Sequence, residues 1–184
     1  MRVEARLEEL GLRLPPLARQ TPGVLLPVGR VRLHGDRVYL TGHCTLTDRG
    51  DPAGPFGEVG TEVTVGEARL AARGAAMALL ARLKQTLGDL DRVDAWLQVR
   101  GAVRCATGFA QLGDVIEGCS ETILDAFGAT VGGHALAVTG VAALPLNLAV
   151  VVDAEVAVRP AEQEPIPEGR TAATGDGGAV SHPV

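Results

Sequence analysis

His43 has the plainest chemical use in this sequence, because an imidazole titrates near neutral pH and can act as base, acid or hydrogen-bond donor. It stands in Tyr39-Leu40-Thr41-Gly42-His43-Cys44, with a thiol directly beside it. Neighbours in a strand face opposite sides, so His43 and Cys44 make a poor base–nucleophile pair. Cys105, in Arg104-Cys105-Ala106-Thr107-Gly108-Phe109, and Cys119, on an apolar helical stripe, read as structural thiols. Four histidines and three cysteines show no Cys-x-x-Cys or His-x-x-x-His spacing, so no metal site is expected. No Gly-rich loop links a strand to a helix and no serine occupies a nucleophile elbow, so phosphate-loop and serine-hydrolase chemistry lack their motifs.

The chain around these groups is acidic and poor in aromatics. Its 184 residues suit one domain, and a hydrophobic fraction of 46% with 21% charged residues is that of a globular protein. Aromatics make up only 3%, so the core must be built from Val, Leu and Ala. A net charge of -5 with no basic run argues against a nucleic-acid partner, since phosphate contacts need clustered Lys and Arg. Three irregularly spaced cysteines argue against a disulfide framework and fit a reducing compartment. The charged start Met1-Arg2-Val3-Glu4-Ala5-Arg6 is unlike a signal peptide, and no apolar run reaches the roughly 18 residues of a membrane span. A cytoplasmic address with no membrane partner is therefore expected.

The elements that must hold the candidate residues follow from periodicity. Residues 1–23 read as a short helix, with Val3, Leu7 and Leu10 on one side, and a linker from Leu14-Pro15-Pro16. Leu25–Leu33 and Arg37–Thr45 flank His34-Gly35-Asp36 as a hairpin. A helix starts at Thr64, where Thr64-Val65-Gly66-Glu67 has capping-box spacing, buries Ala68, Ala72, Ala75, Leu79 and Leu83, and stops at Gly88. In the strand Val93–Val103, Val93, Ala95, Leu97 and Val99 alternate with Asp94, Gln98 and Arg100. A second helix from about Leu112 to Phe127 buries Val115, Ile116, Cys119, Ile123 and Phe127, leaving its acidic face to solvent. Strands Ala135–Ala142 and Leu148–Val158 complete a domain spanning 24–158. The order β-β-α-β-α-β-β implies an α+β domain, a mixed sheet with two helices on one face. The tail 159–184, rich in Pro, Gly and Glu, cannot bury enough apolar surface to fold and reads as disordered.

Four strings in this order resemble the RidA family, also called YjgF. They are Tyr39-Leu40-Thr41-Gly42-His43, Leu87-Gly88-Asp89-Leu90-Asp91-Arg92-Val93, Gly108-Phe109 with the helix through Phe127-Gly128, and Gly133-His134-Ala135-Leu136-Ala137-Val138-Thr139-Gly140-Val141-Ala142-Ala143-Leu144-Pro145. The last resembles the family signature with its closing Val-x-x-Leu-Pro. The resemblance covers about three quarters of the chain and implies a chorismate mutase-like fold. It also implies a homotrimer with a central barrel and ligand clefts between subunits. The activity implied is hydrolysis of enamines and imines to a keto acid and ammonia, without a cofactor.

The match lapses where that chemistry would sit. The signature arginine, which grips the substrate carboxylate, falls on Leu136, and the water-positioning glutamate falls on Val151. Leucine donates no hydrogen bond, so a carboxylate loses a charge-assisted pair of roughly 1.5–3 kcal/mol, a ten- to few-hundred-fold loss in binding. His43 takes the place of the family's glutamine. By position, Thr41, Gly42, His43, Thr107, Gly108, Phe109, Leu136, Val138 and Val151 would line the cleft. His134 lies two residues from Leu136 and Asp153 two from Val151, about 6.5–7 Å along their strands, so a displaced catalytic pair is conceivable. The plainer alternative is that His134 caps a strand end and Asp153 is a bonded or solvated carboxylate.

Three readings follow. The first is a trimer binding a small molecule in inter-subunit clefts without the usual imine deaminase activity. The second is an enamine/imine deaminase, a hydrolase whose site is relocated onto His134, His43 or Asp153. The third is a trimeric structural or partner-binding scaffold.

Overall fold

The computed structural model describes residues 3–19 and 30–159. The expected tail beyond 159 and the first half of the Leu25–Leu33 strand lie outside the described residues. The elements are α1 (Val3–Glu9), β1 (Val31–His34), β2 (Arg37–His43), α2 (Val65–Leu87), β3 (Val93–Arg104), α3 (Leu112–Gly132), β4 (Ala135–Val141) and β5 (Val150–Val158). One 3₁₀ turn, Leu90–Arg92, leads into β3, and another, Pro145–Asn147, leads into β5.

α2 begins where its cap dictates. The Glu67 N–H donates to Thr64 Oγ1 at 3.2 Å, while the Thr64 N–H donates to Glu67 Oε2 at 2.9 Å. Both donors would otherwise be orphaned at the helix start. Its stripe of Ala68, Ala72, Ala75 and Ala76 is buried, and small side chains let sheet and partner helix come close. At Gly118 of α3 an added Cβ would press into the Arg69 carbonyl of α2, so the two helices touch backbone to side.

The sheet runs β1-β2-β5-β3-β4, with β3 and β4 parallel and the other neighbours antiparallel. A parallel pair needs a crossover, and α3 supplies it. The inner face, Val38, Leu40, Val99, Val103, Val152, Ala154 and Val156, packs on Val115, Ile116, Cys119 and Ile123 of α3 and the alanines of α2. Trp96 meets Phe127 edge-on at 5.6 Å between ring centroids. α2 and α3 therefore cover one side, as the element order implied. α1 joins the same core through Val3 and Leu7, and the Val3 N–H donates to Asp91 Oδ1 at 2.9 Å, so the helix of segment 1–23 is packed onto the domain rather than set apart from it.

Two expectations need correction. Alternation was expected to hold Val93, Ala95, Leu97 and Val99 on one face, but β3 is bulged between Val93 and Ala95 and again between Trp96 and Gln98. Each extra residue shifts the pleat, so Val93, Trp96 and Val99 are the buried positions and Ala95 and Leu97 are not. The second helix also passes its expected stop near Phe127. It breaks at Gly128, whose φ of 72° only glycine adopts readily, and resumes to Gly132.

Candidate functional site

The sheet side opposite α2 and α3 carries no helix among the described residues, and its polar groups come from the strand positions between the buried ones. On β5 these are Val151, Asp153, Glu155 and Ala157. Across β3, Val151 stands in register with Ala102, Asp153 with Arg100 and Glu155 with Gln98. Tyr39 of β2 lies opposite Glu155.

This open face is well bonded. Asp153 Oδ1 accepts from the Gly42 N–H at 2.7 Å and the Thr41 hydroxyl at 3.0 Å. Gly42 sits in the bulge of β2 between Leu40 and His43 with φ 68°, which turns its N–H toward β5. Arg37 donates to Glu155 Oε1 at 2.6 Å, with the Glu155 side chain only 17% exposed. Arg100 donates to Gln98 Oε1 at 2.6 Å and makes no ion pair within 4.0 Å among the described residues, although Asp153 is its register partner. The spacing of Gln98 and Arg100 pointed to this face. The Arg37–Glu155 pair could not be found from spacing, because it depends on the antiparallel register of β2 and β5.

Other candidate residues lie elsewhere. Leu136 is in register with Val99 and Val138 with Gly101, so both lean to the helix side of edge strand β4. Leu136 is 45% exposed there, whereas Val138 packs partly on the core. Val151 faces the open side, so within one protomer Leu136 and Val151 are on opposite faces of the sheet. Thr107, Gly108 and Phe109 turn at the far end of β3, where Gly108 has φ 82° and the Phe109 ring covers Gly60. Because Leu136 pairs with Val99 and Val141 with Arg104, that turn lies about 17 Å along the strand from Leu136.

His134 is engaged by α3 and the turn before β4. Its Nε2 lies 2.9 Å from Ser120 Oγ, and its Nδ1 lies 2.7 Å from the Gly132 carbonyl. It is therefore on the helix side, and Asp153 is on the open side, bound to β2. The displaced His134–Asp153 pair is not assembled within a protomer.

His43 is not the exposed strand-end group that a place at the end of β2 suggested. It is 5% exposed, and Nδ1 has no hydrogen-bond partner among the described residues. Burial, then the charges of Arg82 and Arg30, push its pKa down to about 4, with the Thr41 carbonyl opposing weakly. At neutral pH the ring is uncharged. Cys44 is also buried; it lies just past the end of β2, where strand alternation no longer sets which way a side chain points. Burial raises its thiol, and pushes that of Cys119 up to about 12. Neither is a ready nucleophile.

The carboxylates of Glu4, Asp89 and Asp91 lie within 4.8 Å of one another. Each already has protein donors: Lys84 Nζ and the Leu90 N–H for Glu4, the Val3 N–H for Asp91 and the Asp91 N–H for Asp89. They tie α1 to the turn before β3.

This arrangement, with the four strings that carry the resemblance on the expected elements, can be set beside known proteins. Protein TCP17 of Trypanosoma cruzi is 35% identical over 155 residues, covering 84% of this chain and 93% of that one. The crystal structure of Atu1372 from Agrobacterium tumefaciens, a protein of unknown function, is 32% identical with a TM-score of 0.75, covering 86% and 94%. A Shewanella oneidensis protein proposed to be an endoribonuclease is 25% identical with a TM-score of 0.77, covering 86% and 100%. The fold is also that of the Rid-family protein YyfA from Yersinia pestis, at 15% identity and a TM-score of 0.52 over 77% and 98%. The chain has the fold of the Rid protein family. No protein-family model matches it. Leu136 and Val151, where the resemblance expects an arginine and a glutamate, lie on an exposed edge strand and on the open sheet face respectively. No helix among the described residues is long and apolar enough to cross a membrane.

Proposed function

We propose that this chain is a divergent RidA-family member that forms a homotrimer and binds a small molecule in clefts between subunits, without the imine deaminase chemistry of the family's best-known members. One observation carries the reading. The resemblance puts the signature arginine and glutamate on Leu136, 45% exposed on β4, and on Val151, beside Ala102 on the open face. Both changes replace a charged group by an apolar one, which suits a neutral or apolar ligand better than a carboxylate.

Self-association is supported by the sheet's edges. β1 carries Arg32 and His34, polar groups of the kind that discourage edge pairing. β4 has no charged residue in seven positions and pairs only with β3 among the described residues. An uncharged edge next to an uncovered sheet face is a surface for other copies of the chain. Cleft residues separated within a protomer, such as Leu136 and Thr107–Phe109, could then meet across a subunit boundary. The three free cysteines support a cytoplasmic, reducing location. The net charge of -5 is unfavourable for ribonucleic acid, so the endoribonuclease proposal for the Shewanella protein is not extended to this chain.

The test is hydrolysis of freshly generated amino-acid-derived imines, followed by ammonia and keto-acid release, for wild type and Leu136→Arg. Wild type at the uncatalysed rate with a gain in Leu136→Arg is the expected result. Rapid turnover by wild type would overturn it.

A further inference from the structure

We propose that Arg30, Arg82 and His43 form an oxyanion-binding site at the seam between β2 and α2, His43 being turned inward there rather than toward the inter-subunit cleft where the resemblance puts it. The starting observation is His43 itself, a ring 5% exposed whose Nδ1 finds no partner among the described residues. Buried polar atoms are normally hydrogen-bonded, and an orphan asks for an explanation.

What surrounds the ring is positive. Arg30, just before β1, reaches across the hairpin and donates to the Gly42 carbonyl at 3.3 Å, one residue from His43. Arg82, on α2, donates to Gln85 Oε1 at 2.6 Å. Both guanidinium charges act on His43, and Arg30 also acts on Arg82, which is itself partly buried. Two further titratable groups are close in the chain and sheet: Cys44, whose thiol burial raises, and Asp153, which is bound to the Gly42 N–H on the opposite, open face of the sheet.

No carboxylate among the described residues answers these charges. Among the described residues neither arginine has a carboxylate within 4.0 Å, whereas Arg6, Arg37, Arg69, Lys84 and Arg104 each do. Residues 20–29, which lead into Arg30, contain no Asp or Glu. Like charges gathered beside a desolvated ring are unfavourable unless an anion joins them. Guanidinium presents a planar fork that matches carboxylate or phosphate, and His43 can add a donor. A bound oxyanion would also favour the protonated ring, so binding takes up a proton and strengthens as pH falls.

The experiment titrates the full chain with inorganic phosphate, and separately with acetate, at fixed ionic strength with chloride as reference. Calorimetry reads affinity, and NMR reads the His43 ring. Saturable binding is expected, weakened about ten- to a hundred-fold by Arg82→Gln and by Arg30→Gln. The wild-type ring, which needs no variant, should show its titration midpoint move up by about one pH unit or more when the anion is bound. The tighter of the two anions identifies phosphate or carboxylate as the chemistry recognised. Leu136→Arg should leave this affinity unchanged, which separates the site from the cleft. Phosphate and acetate acting no differently from chloride on both heat and ring would overturn the proposal, as would undiminished binding in both arginine variants.

Discussion

Asp153 on β5 holds the Gly42 N–H on β2 at 2.7 Å, across a bulge in which Gly42 has φ 68°. The same oxygen takes the Thr41 hydroxyl, while Arg100, the register partner of Asp153 on β3, bonds to Gln98 instead. Asp153 is thus first a clamp on the β2 bulge. Asp153→Ala should lower unfolding free energy by about 1–3 kcal/mol, because a part-buried N–H and a hydroxyl lose a charged acceptor together. Urea denaturation measures it, and Asp153→Asn, which keeps an acceptor, should lose less.

The bulge also marks where the sequence stops being a sufficient guide. The α2 cap, its alanine stripe and the α3 core positions were legible, because 3.6-residue periodicity survives without knowledge of neighbours. β3 was legible only from Gln98 onward, since two bulges reset its pleat upstream. At the site, Thr41, Gly42 and Asp153 share one hydrogen-bonded cluster. His134 and Asp153 each stand one pleat from Leu136 or Val151 in sequence, yet one bonds to α3 and the other to β2. Which face each strand presents depends on partner register, which no local pattern encodes. The burial of His43 is set in the same way, since the bulge at Gly42 turns it inward.

Burial of a neutral His43 predicts a specific pH profile. Its folded pKa of about 4 lies below the ordinary value of 6.5, so the unfolded chain binds the extra proton between those values. Stability from this group is complete above pH 6.5 and is lost as pH falls toward 4, by on the order of 3 kcal/mol in total. Glu4 and Glu67, whose pKa values are lowered from 4.5, begin to lose their own stabilisation only at the acid end of that window, as pH falls through 4.5. Denaturation from pH 8 to 4 should therefore slope below 6.5, and His43→Phe should flatten that slope whatever it does to overall stability. Equal slopes in the two proteins would contradict the burial of an unprotonated ring.

The approach of α2 to α3 rests on Gly118. A Cβ there would meet the Arg69 carbonyl, which is backbone and cannot rotate away. Gly118→Ala ordinarily favours a helix, by about 1 kcal/mol from propensity alone. Here the overpacking should win, with a net loss of about 1–3 kcal/mol in chemical denaturation. Arg69 also bridges Glu117 and Glu121 of α3, so the same variant should weaken those exposed pairs, a smaller effect. A stabilised Gly118→Ala protein would mean the helices are free to move apart.

The β4 edge gives the last test, and it bears on whether a cleft between subunits can exist. Ala137 lies in register with Arg100, on the open side of β4, and Thr139 with Ala102. Neither contributes to the core, so replacing Ala137 with Glu leaves the fold of one protomer intact. In the trimer proposed here that carboxylate would be carried into a dry, strand-lined junction, where burying an unpaired charge costs several kcal/mol. Placed beside Arg100 in a free protomer, the same carboxylate costs little, because an exposed pair contributes under about 1 kcal/mol. Sedimentation at micromolar concentration should therefore show wild type as a trimer and Ala137→Glu as a monomer with an unchanged far-ultraviolet spectrum. A monomeric wild type would leave Leu136 and Val151 on opposite faces of one sheet, with no second subunit to bring them into one cleft.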